Sequence, residues 1–422
     1  MDRIDPDAAN LLGARAARAA IDSGLLSSEQ LVEACFARID LLEDEIGAWA
    51  HIDRETALAQ ARAADAFRMR GLPVGALHGL PIGIKDIIDT ADYPTERGTV
   101  LHHGRRPDRD ATLVSLLKEA GAIILGKTVS TEMAVYAPGK TRNPHNLEHT
   151  PGGSSSGSAA AVAAAMAPLA VGTQTNGSVI RPASYCGVYG FKPSFGRISR
   201  HGVLEQSPPL DTVGVFARDL DDLAMIADVL MRFDAQDAAM SPVAPPRLAD
   251  VLAEDVPLGL HFVFVRTPAW EQVEPQTKDA LREFIDAVND TREKTIDVID
   301  LPPPFAELYE DHRKVMEGDL ARSFADEYRR GKSELSDVLR EMIERGQQVS
   351  DAEYDAALAR RTDYNALLDE FFDEYDAILT PATPGPAPAG VEATGSPIMS
   401  TIWTFCGTPA LSLPVFRSTQ GL

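Results

Sequence analysis

Seven consecutive glycines and serines, Gly152-Gly153-Ser154-Ser155-Ser156-Gly157-Ser158, run without a break into residues 159–171, a stretch of alanines and other small apolar side chains. On its own the first half reads as a flexible linker. The second half excludes that reading, because a small apolar element has to be buried and a linker does not lead directly into core. The serines instead supply an N-cap for a helix that starts there. A polar, glycine-rich turn is therefore fixed against the interior, and the rest of the fold has to be built around it.

The surrounding pattern says what that interior is. From 76 to 220 short apolar strands, Ile82 to Ile88, Ala122 to Leu125 and Pro168 to Gly172, alternate with helices such as Thr112 to Ala120. That alternation predicts an α/β fold with a central sheet covered on both faces by helices. Residues 1–75 read as an N-terminal helical layer: an Ala-rich amphipathic segment, a start at Ser27-Ser28-Glu29-Gln30, then Arg54 to Met69. Pro242, Pro245, Pro246 and Pro257 make 241–257 a surface connection, followed by a strand at Leu258 to Val265 and a helix at Gln276 to Val288. The strongly acidic region from about 305 to 375 reads as a helical insertion with a solvated charged face. No internal repeat is apparent, and 76–422 is expected to form one compact body with the helical layer.

Two further segments carry chemistry. Ser178 follows a short polar stretch, Thr173 to Gly177, in which consecutive backbone N–H groups can turn inward and form an anion-binding nest. A serine hydroxyl needs a base at neutral pH, and a lysine serves only when uncharged, which demands burial. Lys85 fits, since Leu80, Pro81, Ile82, Ile84, Ile87 and Ile88 surround it in sequence. The competing reading is a lysine that snorkels from a strand end to solvent.

The three contexts, Gly79-Leu80-Pro81-Ile82-Gly83-Ile84-Lys85-Asp86, Pro151 to Ser158 and Thr175-Asn176-Gly177-Ser178, resemble in order and content the amidase signature family, whose catalytic group is a Ser-cis-Ser-Lys triad. Ser178 stands 24 residues after Ser154, the interval that separates the family's nucleophile from its bridging serine. The resemblance is strong over about 75–220, with support at Tyr375 to Pro388 and Trp403 to Pro414. It implies the amidase signature fold with a central mixed sheet, Ser178 as nucleophile, Ser154 as bridging serine and Lys85 as base. It further implies a cis peptide between Gly153 and Ser154, and an oxyanion hole from the backbone of Thr175, Asn176 and Gly177. The activity implied is hydrolysis of a small-molecule carboxylic amide to acid and ammonia or amine through an acyl-enzyme, with no metal or organic cofactor.

Departures from the commonest family pattern are Gln174, Asn176 and the run Ser178-Val179-Ile180-Arg181, in which the arginine stands one position late. Asn tolerates left-handed backbone, so the hole survives. The variant is similar to a malonamidase-like subgroup, which implies Arg181 as a clamp for a substrate carboxylate; the alternative is structural pairing with an acidic residue. The same triad occurs in catalytic A-type subunits of glutamine-dependent amidotransferases, which would require glutaminase activity and a partner protein; Gln174 and Arg181 count against that reading. The family continues beyond the position of Leu422 with another strand and helix, so the C-terminal end is expected to be truncated and to leave a sheet edge unpaired.

Other motifs compete less well. Residues 121–128 fit the Walker A expression, which would make this a nucleotide-binding protein, but Ala122 to Leu125 reads as a buried strand where a flexible loop is needed. Gly153-Ser154-Ser155-Ser156-Gly157 fits the nucleophile elbow, with Ser155 as nucleophile, yet Arg142 to Pro151 approaches it as a loop where an elbow needs a strand. His145 and His149 have the four-residue spacing of helical metal ligands, but Pro144 and Pro151 bracket them and no third ligand is evident, so no metal is expected.

A formal net charge of −23 and a pI near 4.8 oppose nucleic-acid and anionic-membrane partners. No stretch approaches the roughly 20 apolar residues of a membrane helix, and the N-terminus lacks the charged-then-apolar order of a signal peptide. Cys35, Cys186 and Cys406 are too few and too scattered for a disulfide framework, which predicts a cytoplasmic location. The expected partner is a small-molecule amide; a homodimer is compatible with the sequence.

Overall fold

The computed structural model describes residues 5–291 and 295–422. Its strands are β1 (Trp49–Ile52), β2 (Pro81–Lys85), β3 (Ile123–Thr128), β4 (Leu169–Gln174), β5 (Tyr189–Lys192), β6 (Thr212–Ala217), β7 (His261–Arg266), β8 (Thr295–Asp300), β9 (Ala377–Leu379) and β10 (Ala410–Ser412). Seven of them form one mixed sheet in the order β1-β3-β2-β4-β6-β5-β10. Its centre, β3-β2-β4, is parallel; β1, β6, β5 and β10 add to it antiparallel.

Every residue of β2, β3, β4 and β6 is buried, which is why these strands read as continuous apolar runs rather than alternating ones. Helices Ser28–Ile46, Arg54–Arg68, Thr112–Glu119, Ser156–Ala163 and Leu220–Leu230 pack around them. The first of these opens with the expected capping box between Ser27 and Gln30. Because β2, β3 and β4 run in parallel, their C-terminal ends bring Lys85, Thr128 and Gln174 to one edge, the place where open α/β sheets gather ligands.

Three features depart from the sequence reading. The N-terminal layer is not purely helical: β1 leaves it to pair with β3, Trp49 facing Thr128 and Ile52 facing Gly126. Four residues between two strong helices gave too short a pattern to register as a strand. A second, all-parallel sheet, β8-β7-β9, stands apart from the first and closes over Phe264, Leu281, Ile285 and Ile296 with helix Pro275–Asp290.

The acidic region is indeed helical, in Phe305–Ser323, Ala325–Gly331, Asp337–Gly346, Asp351–Ala359 and Arg361–Glu374. Its charge, however, is not simply a solvated face. Asp311, Glu317 and Asp319 of Phe305–Ser323 are buried. Asp311 binds Arg360 and Tyr364, Glu317 binds Arg313 and Arg345, and Asp319 accepts from Ser207 at 2.6 Å. Buried carboxylates persist only with such partners, so these acids dock the helices onto the body and onto each other.

Candidate active site

Lys85 ends β2 with 0% of its surface exposed. Its Nζ lies 2.7 Å from Ser154 Oγ and 2.8 Å from Thr173 Oγ1. Burial holds the ammonium well below its ordinary range; buried Asp211 opposes that shift and the Arg181 charge adds to it. The snorkelling alternative does not describe this side chain.

Ser154 is buried, and its peptide bond with Gly153 is cis. The segment is fastened on both sides. Ser154 O accepts from Thr131 N at 3.2 Å, while Ser155 Oγ bridges the backbone N and O of Thr173, each at 3.2 Å. Ser155 is thereby committed to β4, away from the role an elbow nucleophile would need.

Ser178 sits past the end of β4, and Gln174 shapes the turn that carries it. Gln174 Oε1 accepts from Val179 N at 2.8 Å and Ile180 N at 3.0 Å, and its Nε2 donates to Thr404 Oγ1 at 2.9 Å. The amide thus caps the first N–H groups of helix Ile180–Tyr185. Asn176 is pinned at every polar atom of its side chain: Nδ2 donates to Tyr136 Oη at 3.0 Å, and Oδ1 accepts from Thr401 Oγ1 at 2.8 Å. Its carbonyl accepts from Thr404 Oγ1 at 2.5 Å. The carbonyl of Thr175 accepts from His312 Nε2 at 3.1 Å. With the carbonyls and side chains so engaged, the backbone N–H groups of Asn176, Gly177 and Ser178 donate to no acceptor among the described residues, and neither does the Ser178 hydroxyl. A nucleophile-type hydroxyl beside a row of free N–H groups is what stabilising an oxyanion requires.

Arg181, the expected carboxylate clamp, donates to backbone carbonyls. It is 0% exposed; Nε and Nη2 donate to Gly153 O at 3.2 and 2.6 Å, and Nη1 donates to Gly395 O at 2.6 Å. No acidic residue pairs with it among the described residues, so the alternative of structural pairing with an acid does not describe it. Its cation lies over the Tyr136 ring, 5.9 Å from the centroid.

The competing motifs resolve locally. Gly126, Lys127 and Thr128 belong to β3, and Lys127 Nζ donates to Ile88 O at 2.8 Å and Thr95 Oγ1 at 2.6 Å, 3.4 Å from Asp86. A strand with its lysine turned into the core is no phosphate loop, which corrects the nucleotide-binding alternative. His145 Nε2 pairs with Cys186 O at 2.9 Å and His149 Nδ1 with Ala387 O at 2.7 Å, so each ring anchors a loop.

Sequence reasoning missed the supports: Thr173 beside Lys85, Tyr136, His312, Thr401 and Thr404 around the 175–178 turn, and Gln206 with Asp211 beside Thr175. Thr401 and Thr404 stand one turn apart on helix Ile398–Phe405, a spacing with meaning only once that helix is known to lie on Asn176.

Comparison with known proteins identifies the family. The profile of the family described as Amidase matches residues 30–422. The chain is 34% identical to the A-type subunit of the glutamyl-tRNA(Gln) amidotransferase of Chloroflexus aggregans, over 94% of this chain and 88% of that one. It is 33% identical to the candidate amidase AmiD of Mycobacterium tuberculosis, over 99% of this chain and 90% of the relative. The solved structure of the native peptide amidase from Stenotrophomonas maltophilia superposes with a TM-score of 0.82 at 27% identity, covering 97% of this chain and 91% of that one.

Proposed function

Given that the chain belongs to the amidase family, we propose that it hydrolyses a small-molecule carboxylic amide to acid and ammonia or amine, with Ser178, Ser154 and Lys85 as the proton relay. One observation carries the reading: a buried lysine, stripped of solvent and 2.7 Å from Ser154 Oγ, on a serine segment that Arg181 fastens to the turn bearing Ser178. Neutral Lys85 takes the proton of Ser154 as Ser154 takes that of Ser178, whose oxygen attacks the amide carbon. The N–H groups at 175–178 hold the oxyanion. The relay then protonates the departing ammonia or amine, and water hydrolyses the acyl-enzyme by the reverse path.

Arg181 enters as a positioning residue for the Gly153–Ser154 peptide, since its guanidinium already spends donors on Gly153 and Gly395.

A second reading is favoured by the relatives named as amidotransferase subunits, which are as similar to this chain as AmiD is: a catalytic A-type subunit that releases ammonia from glutamine for a partner. A panel of linear amides, with glutamine among them, separates the two. Acid and ammonia from several amides by the isolated chain supports the free amidase. Turnover of glutamine alone, rising only with a second protein, would replace it by the amidotransferase reading.

A further inference from the structure

Beneath the oxyanion turn, the hydroxyl of Thr175 meets two oxygens. Thr175 Oγ1 lies 2.6 Å from Gln206 Oε1 and 2.6 Å from Asp211 Oδ1. A hydroxyl has one proton and can satisfy one of them as donor; two unprotonated oxygens at that separation repel. Turning the Gln206 amide over does not help, because its Nε2 donates to Met133 O at 3.0 Å and a reversed amide would set two carbonyl oxygens face to face. The hydrogen bonds close only if the second proton comes from Asp211: Asp211 donates to Thr175, and Thr175 donates to Gln206.

We propose that Asp211 is held as the neutral carboxylic acid in the working enzyme, positioning the oxyanion turn through Thr175 while leaving Lys85 without a counter-ion and therefore uncharged. The inference rests on the relay reading above and names a source for the base's neutrality. Lys85 and a buried carboxyl share one proton between them, and the Thr175–Gln206 chain gives it to the carboxyl.

The surroundings permit this. Asp211 is buried, and burial pushes its carboxyl up to about 6, against the pull of Thr175, of the Gln206 and Ser207 N–H groups at 2.8 and 3.0 Å, and of Arg200. Donation of the Thr175 proton to Gln206 withdraws the Thr175 part of that pull, since the hydroxyl has no second proton for an ionised Asp211. The charged and titratable groups facing it are few. Lys85 lies at the end of β2. Arg200, which donates to Asp211 O at 3.3 Å, has Asp237 as a two-armed partner. His312, from helix Phe305–Ser323, is held neutral because burial lowers it to about 4. Arg361 donates to the Pro209 carbonyl, Asp319 accepts from Ser207, and Glu205 is exposed.

Asp211→Asn is the decisive variant, because an amide mimics the protonated acid, donating to Thr175 and accepting from Gln206 N and Ser207 N, but cannot mimic the carboxylate. Labelling by a fluorophosphonate serine probe is followed against pH. The variant is expected to keep its labelling rate within about fivefold of wild type, with the acidic limb unmoved. A limb displaced by about one unit or more toward low pH would mean that wild-type Asp211 is ionised, and the proposal falls. Infrared spectroscopy of wild type carrying carboxyl-13C aspartate gives a reading independent of catalysis. A protonated-carboxyl C=O band at neutral pH, removed by Asp211→Asn or shifted by Thr175→Val, is expected; its absence overturns the proposal. Wild type that the probe never labels would instead sink the serine relay, with the infrared band still deciding the state of Asp211.

Discussion

Arg181 donates to the carbonyl oxygen of Gly153 from both Nε and Nη2. The contact joins the helix after Ser178 to the residue before Ser154, so the two serines are set by one guanidinium. A lysine has no planar fork with which to repeat it. Arg181→Ala and Arg181→Lys should therefore both lower kcat, by roughly 10²-fold as for a small misplacement of reacting groups, and equally on neutral and carboxylate-bearing amides. Selective loss on the anionic substrates would make Arg181 a carboxylate clamp after all.

Thr401 and Thr404 hold Asn176 through its side chain and its carbonyl. Thr401→Val and Thr404→Val keep the shape and remove the hydroxyl donors. Each is expected to reduce kcat by about tenfold, less than deletion of an oxyanion donor itself, with KM little changed. Steady-state kinetics on one good substrate checks it; a rise in KM at constant kcat would assign these threonines to substrate binding.

Lys85 also links stability to pH. Its folded-state pKa is lowered, so between that value and the ordinary 10.5 the unfolded chain binds more protons than the native one. Stability contributed at this position accordingly rises with pH across the window and is lost as pH falls through it. Lys85→Met, which buries no amine, should be more stable than wild type at pH 7 by roughly 1–2 kcal/mol, and the difference should shrink toward pH 10. Denaturant melts at both pH values test it; a difference that grows with pH would refute the burial argument. Activity should fall on the acid side, where Lys85 becomes protonated.

If three residues act as one relay, removing two costs little more than removing one. Lys85→Ala, Ser178→Ala and their double variant should have nearly the same residual rate. Rates that multiply through the cycle would mean that the lysine and the serine act independently.

Much of this was legible before the structure. The parallel centre of the sheet showed through because strands buried on both faces are apolar throughout, and Lys85 and Ser154 stood in contexts whose composition announces burial. What stayed hidden depends on contacts distant in sequence. Gln174 looked like a departure from a pattern; its amide caps Val179 N and Ile180 N and is held in turn by Thr404 of the distant helix Ile398–Phe405. Arg181 could be read from its position as a ligand for substrate, whereas its reach to the carbonyl of Gly153 shows only in the fold. The four-residue β1 left no periodicity to read, and the buried acids of Phe305–Ser323 are indistinguishable in sequence from its solvated ones until Arg345 and Arg360 are brought against them.

The most direct test of the relay is peptide mapping after fluorophosphonate treatment of wild type and Lys85→Ala. The account predicts a single adduct on Ser178 in wild type and its near-complete loss in the variant. An adduct on Ser155, or labelling of Ser178 indifferent to Lys85, would contradict it.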